Sequence, residues 1–150
     1  MKTETAADNK AIVVIVHGLC EHQGRYDYFV EKLHAAGYGT YRFDHRGHGR
    51  SQGDLPNYGT FHEILDDTNV IVDMAIAENP DIPVYLLGHS MGSFVVRCDC
   101  LRYEEGLSGV VLSGTGHFAP AIVNAGLLIA RIQCALGMAK KPSLLLQKSS

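Results

Sequence analysis

The apolar positions of this chain change period several times, and each change marks an element. Residues 11–17, AIVVIVH, form a β-branched run without polar alternation, the pattern of a strand covered on both faces. From Tyr28 to Ala36 the apolar residues recur at helical spacing, through Phe29, Leu33 and Ala36, and stop at Gly37, a C-terminal signal. A second strand is predicted over Thr40 to Asp44. Gly47 to Gly59 is punctuated by glycines and asparagine, after which Phe61 to Asn79 places Ile64, Leu65, Thr68, Ile71, Val72 and Ala75 on one helical stripe before Pro80. A strand over Val84 to Gly88, a helix over Ser90 to Glu104 and a strand over Leu107 to Ser113 complete the series.

Strand and helix alternating in this way predict an α/β fold, with a parallel sheet of at least four strands and helices on both faces. Right-handed crossovers bring all the strand carboxyl ends to one edge, where open α/β sheets bind ligands. Those ends are His17-Gly18, Asp44-His45, His89-Ser90 and Gly114 to His117.

Composition narrows the class. At 150 residues the chain suits one compact domain. With 46% hydrophobic and 19% charged residues, and 13 basic against 16 acidic groups, it is neither a disordered segment nor a polybasic nucleic-acid binder. The acids are confined to the first 105 residues; beyond them stand Arg131, Lys140, Lys141 and Lys148 and no Asp or Glu. Cys20, Cys98, Cys100 and Cys134 form no CxxC pair, and Met1 to Lys10 is too polar for a secretory leader. The expectation is reduced thiols in a cytoplasmic protein. Ala119 to Ala139 is apolar enough to raise a membrane span, but Asn124, Arg131 and Gln133 interrupt it and Pro120 stands at its start.

The chemistry concentrates at Gly88-His89-Ser90-Met91-Gly92, a G-x-S-x-G pattern set between an apolar strand and a helix. A sharp turn there forces the serine into strained backbone geometry, and glycines two before and two after it let strand and helix approach. The hydroxyl is then held over the sheet edge. The same turn is compatible with a serine that simply caps the following helix. A serine nucleophile also needs two N–H donors for the oxyanion. The Met91 N–H is one candidate and the Leu19 N–H, on the loop after the first strand, is the other; an ordinary strand-ending turn is the plainer reading of His17-Gly18.

Three segments in order, HGLCEHQGRY (17–26), FDHRGHGRSQG (43–53) and LLGHSMGS (86–93), resemble the α/β-hydrolase superfamily, in its monoacylglycerol lipase, lysophospholipase and serine-aminopeptidase-like branch. The resemblance runs over about residues 11 to 150. It implies that Ser90 is the acyl-enzyme nucleophile, that Leu19 and Met91 line the oxyanion hole, and that 44–51 is a supporting loop. Gly18 and His89 flank these groups as candidate substrate contacts; His22 is read, with Glu21, as shaping the loop beside the oxyanion hole, with a substrate contact as its alternative. The resemblance further implies a hydrolase core over residues 1–117 and an incomplete helical cap over 118–150. Cys20 stands where the family often has glycine, and Ser93 where a third glycine commonly follows the serine. Only ten residues precede the first parallel strand, so the fold's N-terminal antiparallel strands are expected to be absent or nearly so.

In this fold the triad follows the order Ser, acid, His. After Ser90 the only acids are Asp99, Glu104 and Glu105, and the last histidine is His117. Asp99 lies about 13 Å up the helix at 1.5 Å per residue, which reads as a surface position rather than an orienting carboxylate. His117, without an acid to hold its tautomer, would be a poor base. The chain is therefore read as the N-terminal half of a serine hydrolase of carboxylic esters, inactive alone.

Rival constellations are weaker. Gly114-Thr115-Gly116-His117-Phe118-Ala119 matches a dinucleotide fingerprint, but no acid follows near residues 135–140 to hold a ribose. His45 and His48 share an i, i+3 spacing in a glycine-rich loop with no third ligand nearby, so a structural use is read and no metal or organic cofactor is implied. Asp66-Asp67 reads as a solvated helix face. The apolar stretch Ile122 to Met138 either forms a mouth for acyl chains drawn from a membrane surface or buries its stripe in further parts of the fold. A non-catalytic alternative is a binding module that self-associates through a sheet edge left open beside Leu107 to Ser113.

Overall fold

The computed structural model describes residues 1–6, 8–53, 58–103 and 106–136. Met1–Thr115 forms one compact unit and Gly116 opens a second. In the first unit, β2 (Ile12–Val16), β3 (Gly39–Arg42), β4 (Val84–His89) and β5 (Gly109–Ser113) run parallel. A further strand, β1 (Lys2–Glu4), lies antiparallel along β3, giving the order β1-β3-β2-β4-β5.

The parallel sheet is the one the alternating pattern predicts. β1 corrects the expectation that antiparallel strands would be all but missing at the N-terminus: Lys2, Thr3 and Glu4 pair with Arg42, Tyr41 and Thr40. Side chains explain why so short a polar segment pairs. The buried Arg42 guanidinium donates to Glu4 at 3.1 Å and to Asp27 at 2.5 Å, which draws β1 onto its neighbour.

Helices cover both faces. α1 (Asp27–Ala35) follows a short 3-10 turn at Gln23–Tyr26 and packs Val30 and Leu33 on Val13, Ile15 and Leu87. α2 (Phe61–Glu78) and α3 (Met91–Arg102) cover the other face, where Ile64, Leu65, Val72, Ala75, Val95 and Val96 meet Ile12, Val14, Val16 and Leu86. Successive residues of β2 thus point to opposite, equally covered faces, so its sequence shows no polar alternation. Each such fully buried valine or isoleucine contributes about 1.5–3 kcal/mol relative to exposure. α2 begins where the pattern places it because Thr60 and Glu63 cap it reciprocally. The Thr60 hydroxyl accepts from the Glu63 N–H at 3.2 Å, and the Glu63 carboxylate accepts from the Thr60 N–H at 2.7 Å.

Asp99 is the second correction. It is fully buried, not a surface residue. Helical periodicity is the reason: Asp99 stands four residues after Val95 and three after Val96, on the stripe that α3 turns inward. Glu104 and Glu105 lie outside the described residues.

On β5, Val110, Val111 and Leu112 are exposed, and no described residue pairs with its outer edge. The second unit contains α4 (Pro120–Ala135), started by Pro120, whose Ile122, Leu127, Leu128 and Ile132 are exposed. No helix among the described residues is long and apolar enough to cross a membrane. The expectations that fall on Met138, Lys140, Lys141 and Lys148 lie outside the described residues.

Candidate functional site

The site grows from the junction of β4 with α3. Ser90 has φ 51° and ψ −116°, a left-handed φ that costs a non-glycine residue about 1–3 kcal/mol and survives only where surroundings enforce it. They do so here. A Cβ on Gly88 would stand 2.3 Å from the Gly92 carbonyl oxygen, and a Cβ on Gly92 would stand 2.3 Å from the Val16 carbonyl oxygen. Only hydrogens fit in those gaps, so α3 starts directly against β2 and β4. The Ser90 N–H donates to the Ser113 carbonyl at 2.8 Å, and the Ser93 hydroxyl donates to the Ser90 carbonyl at 2.6 Å. Ser93 thus uses its extra oxygen to fasten the turn.

The Ser90 side chain makes no capping bond to α3, which removes the helix-cap reading of this serine. The residue is half-buried. Gly18 packs against it: a Cβ there would lie 3.1 Å from both Ser90 Cβ and the His89 carbonyl oxygen.

The loop after β2 is held at each end. The Gly18 N–H donates to the Glu21 carboxylate in a short bond, and the Cys20 N–H donates to the Tyr58 hydroxyl at 3.0 Å. The N–H groups of Leu19 and Met91 donate to no described residue. Two amide hydrogens without an acceptor among the described residues therefore flank the Ser90 turn, one on its own helix start and one on the neighbouring loop. Such a pair can stabilise negative charge developing on a substrate oxygen. Cys20 is exposed and has φ 56°, which accounts for a position that glycine would fill without strain.

Glu21 is buried and receives the Tyr26 hydroxyl at 2.7 Å, with Arg25 at 3.2 Å. Burial pushes its pKa up, but the hydrogen bonds from Tyr26 and Gly18 outweigh that and hold it below the ordinary value. His22 is exposed, and its Nδ1 accepts from the Gly24 N–H at 3.2 Å, capping the 3-10 turn. His89 is half-buried, with Nδ1 3.2 Å from the Ser113 hydroxyl and its ring edge-on to Tyr26 at 6.5 Å. The sequence-based candidates Gly18, Leu19, Ser90, Met91 and His89 come together at this edge; His22 sits on the outer side of the same loop.

Beneath the loop lies a histidine cluster. His17 Nε2 accepts from the His45 N–H at 3.0 Å, so the neutral ring carries its proton on Nδ1 and donates it to the Gly18 carbonyl at 2.8 Å. Burial lowers the pKa of His17, and burial followed by the neighbouring His17 brings His45 down to about 3. Both rings are structural and neutral. Asp44 joins the loops: its carboxylate accepts from the Gln23 N–H at 2.7 Å, the Gln23 side chain at 2.8 Å and the Arg50 N–H at 3.0 Å. Among the described residues no set of three His, Cys, Asp or Glu side chains is arranged to hold a metal ion. Asp66 and Asp67 sit on a partly solvated helix face, where Asp67 pairs with Arg46 at 2.8 Å and Asp66 with Arg102 at 3.3 Å.

Tyr58 is the participant that the sequence does not announce. It sits in no motif, and its only local signal is an aromatic residue beside Gly59 at the end of a glycine-punctuated stretch.

Comparison with known proteins bears on this geometry. The sequence model of the family described as Serine aminopeptidase, S33, matches residues 7–148. A monoacylglycerol lipase of Mycolicibacterium smegmatis is 40% identical over 107 residues, covering 71% of this chain and 38% of that protein. A human monoglyceride lipase is 34% identical over 103 residues, covering 69% of this chain and 34% of its own length. Among solved structures, a carboxyl esterase from Bacillus coagulans superposes with a TM-score of 0.78 at 28% identity, over 97% of this chain and 48% of the esterase. A Paleococcus ferrophilus monoacylglycerol lipase gives 0.64 at 31% identity, over 88% of this chain and 52% of that one. The chain thus spans between about a third and a half of the relatives it matches. With the fold, the strained serine turn and these similarities together, the chain belongs to the serine aminopeptidase S33 family of α/β hydrolases.

Proposed function

We propose that this chain carries the nucleophile and oxyanion donors of a serine hydrolase acting on carboxylic esters of monoacylglycerol or lysophospholipid type. The observation that supports this most is the Ser90 turn, with its left-handed backbone and a hydroxyl not used in capping, beside two N–H groups without described partners. In the reaction, Ser90 Oγ attacks the ester carbonyl carbon while its proton passes to a base. The carbonyl oxygen gathers negative charge against the N–H groups of Leu19 and Met91. The tetrahedral adduct then breaks its bond to the alcohol, which leaves with a proton, and water later cleaves the acyl-serine. Gly18 and His89 border the approach to the carbonyl, and His22 stands at its outer rim. The lipase names of the relatives favour long acyl esters, and the free thiols fit a reducing compartment such as the cytoplasm. We assign residues 1–117 to the hydrolase core and 118–150 to the start of its cap.

Among the described residues, none is hydrogen-bonded to the Ser90 hydroxyl as a base. The acids after Ser90 are Asp99, which is buried on α3 without a hydrogen-bond partner, and Glu104 and Glu105. Turnover of a short-chain p-nitrophenyl ester is therefore expected to fall on the order of 10⁴-fold below a complete hydrolase. Labelling by a fluorophosphonate should be slow but confined to Ser90, and absent in Ser90→Ala. Full esterase activity would overturn the expected lack of a base, and labelling that survives that substitution would overturn the assignment of Ser90 as nucleophile.

A second reading rests on the outer edge of β5, which no described residue pairs, and on its exposed Val110, Val111 and Leu112. An unpaired strand of this kind templates pairing with another chain. Size-exclusion chromatography is expected to show dimers or larger species, and a stable monomer at high concentration would count against it.

A further inference from the structure

We infer that Tyr58 is a positioning residue for the oxyanion loop, fixing the direction of the Leu19 N–H through its hydroxyl bond to the Cys20 backbone. The inference rests on the serine-hydrolase reading above and adds how that site is held in shape. Three consecutive amides tell the story. The Gly18 N–H is taken by Glu21 and the Cys20 N–H by Tyr58, leaving the Leu19 N–H between them as the one with no described acceptor. The turn is thus clamped on both sides of the donor that the chemistry needs.

The clamp on the Cys20 side counts because that residue is in the left-handed region, φ 56°, where a Cβ is disfavoured. An exposed loop with such a residue relaxes toward ordinary backbone angles unless something outside it holds the peptide. Tyr58 is outside it, and its ring packs on other residues than those of the loop's exposed turn. Its ring lies tilted against His48 with centroids 3.9 Å apart and meets His45 at 5.8 Å. His45 in turn stacks edge-on against His17 at 4.2 Å and Phe43 at 5.4 Å. The buried rings after β3 therefore aim a hydroxyl at the loop after β2. This gives the histidines at 45 and 48 a purpose that needs no metal and no proton transfer.

Tyr58→Phe keeps the ring stack and removes only the acceptor. By NMR, the Cys20 amide of the variant is expected to exchange with solvent about tenfold faster, and fluorophosphonate labelling of Ser90 to slow by about tenfold, with little change in thermal midpoint. Adding Cys20→Gly should recover part of the labelling rate, because glycine enters the left-handed turn without the Cβ penalty that drives a cysteine out of it once Tyr58 lets go. A general loss of packing would not be rescued by deleting a side chain from an exposed loop. Unchanged Cys20 exchange, or wild-type labelling rates in Tyr58→Phe, would overturn the role of Tyr58 while leaving the nucleophile assignment intact. A wild-type chain that never labels at Ser90 would instead overturn the hydrolase reading, with the amide exchange still reporting whether Tyr58 holds the loop.

Discussion

Gly92→Ala is expected to lower the thermal midpoint by about 10 °C, corresponding to about 3 kcal/mol or more, or to prevent folding altogether. The added methyl would fall 2.3 Å from the Val16 carbonyl oxygen and 2.7 Å from that of His17. Both neighbours are backbone atoms at the end of the central strand, so no side-chain rotation relieves the clash. α3 would have to lift off β2, which also opens the contact between Gly88 and the Gly92 carbonyl. The Ser90 turn sits between these glycines, so labelling at Ser90 should disappear together with stability. Gly126→Ala in α4 is the matched control. Nothing stands within 4 Å of its would-be Cβ, so replacing this helical glycine should be neutral or stabilising by up to about 1 kcal/mol. A Gly92→Ala protein melting within two or three degrees of wild type, by differential scanning calorimetry, would show that helix and strand are not in that close contact.

Asp99→Asn is expected to stabilise the protein at neutral pH and to do nothing in acid. Asp99 is fully buried and neither carboxylate oxygen has a hydrogen-bond partner. Burial, helped by the negative charge of Asp73, pushes its pKa from 3.8 to about 6. The folded state therefore holds the proton more tightly than the unfolded chain does. Below pH 3.8 both states are protonated and the residue costs nothing extra. As pH rises from there toward about 6 the unfolded state gains stability by releasing its proton, and above about 6 the loss is complete. The gap corresponds to roughly 3 kcal/mol. Asparagine keeps the size without the ionisation, so the variant should exceed wild type by no more than about 0.5 kcal/mol at pH 4 and by about 2–3 kcal/mol at pH 7.5. Carboxylates held below their ordinary values, such as Glu21 and Asp44, shift stability in the opposite direction but do so equally in both proteins. Urea titrations at the two pH values decide it: an equal advantage at both, or none at either, would contradict the buried-acid account.

What the sequence reveals and what it hides follow a physical division. Elements with a strong apolar period were legible: the helix predicted over Phe61 to Asn79 is observed over Phe61–Glu78, and the strand predicted over Val84 to Gly88 over Val84–His89. The G-x-S-x-G turn was legible because glycine is the only residue type that fits such a gap, so the constraint is written in the residue identity. β1 was not, because Lys-Thr-Glu has no apolar content and pairs through a guanidinium contributed by β3. Asp99 is hidden for a different reason: its distance from Ser90 along α3 carries no information about its phase on that helix, and the phase is what buries it. Tyr58 was invisible for another reason: its partner is the backbone of a residue 38 positions away, and a backbone amide leaves no trace in the amino-acid sequence.

The exposed thiol of Cys20 has a practical consequence. It lies one residue from Leu19, whereas Cys98 and Cys100 are half-buried, so with Cys134 replaced by serine it is the reactive handle. A nitroxide or environment-sensitive dye attached there would read out the motion of that loop in real time, without any substrate turning over.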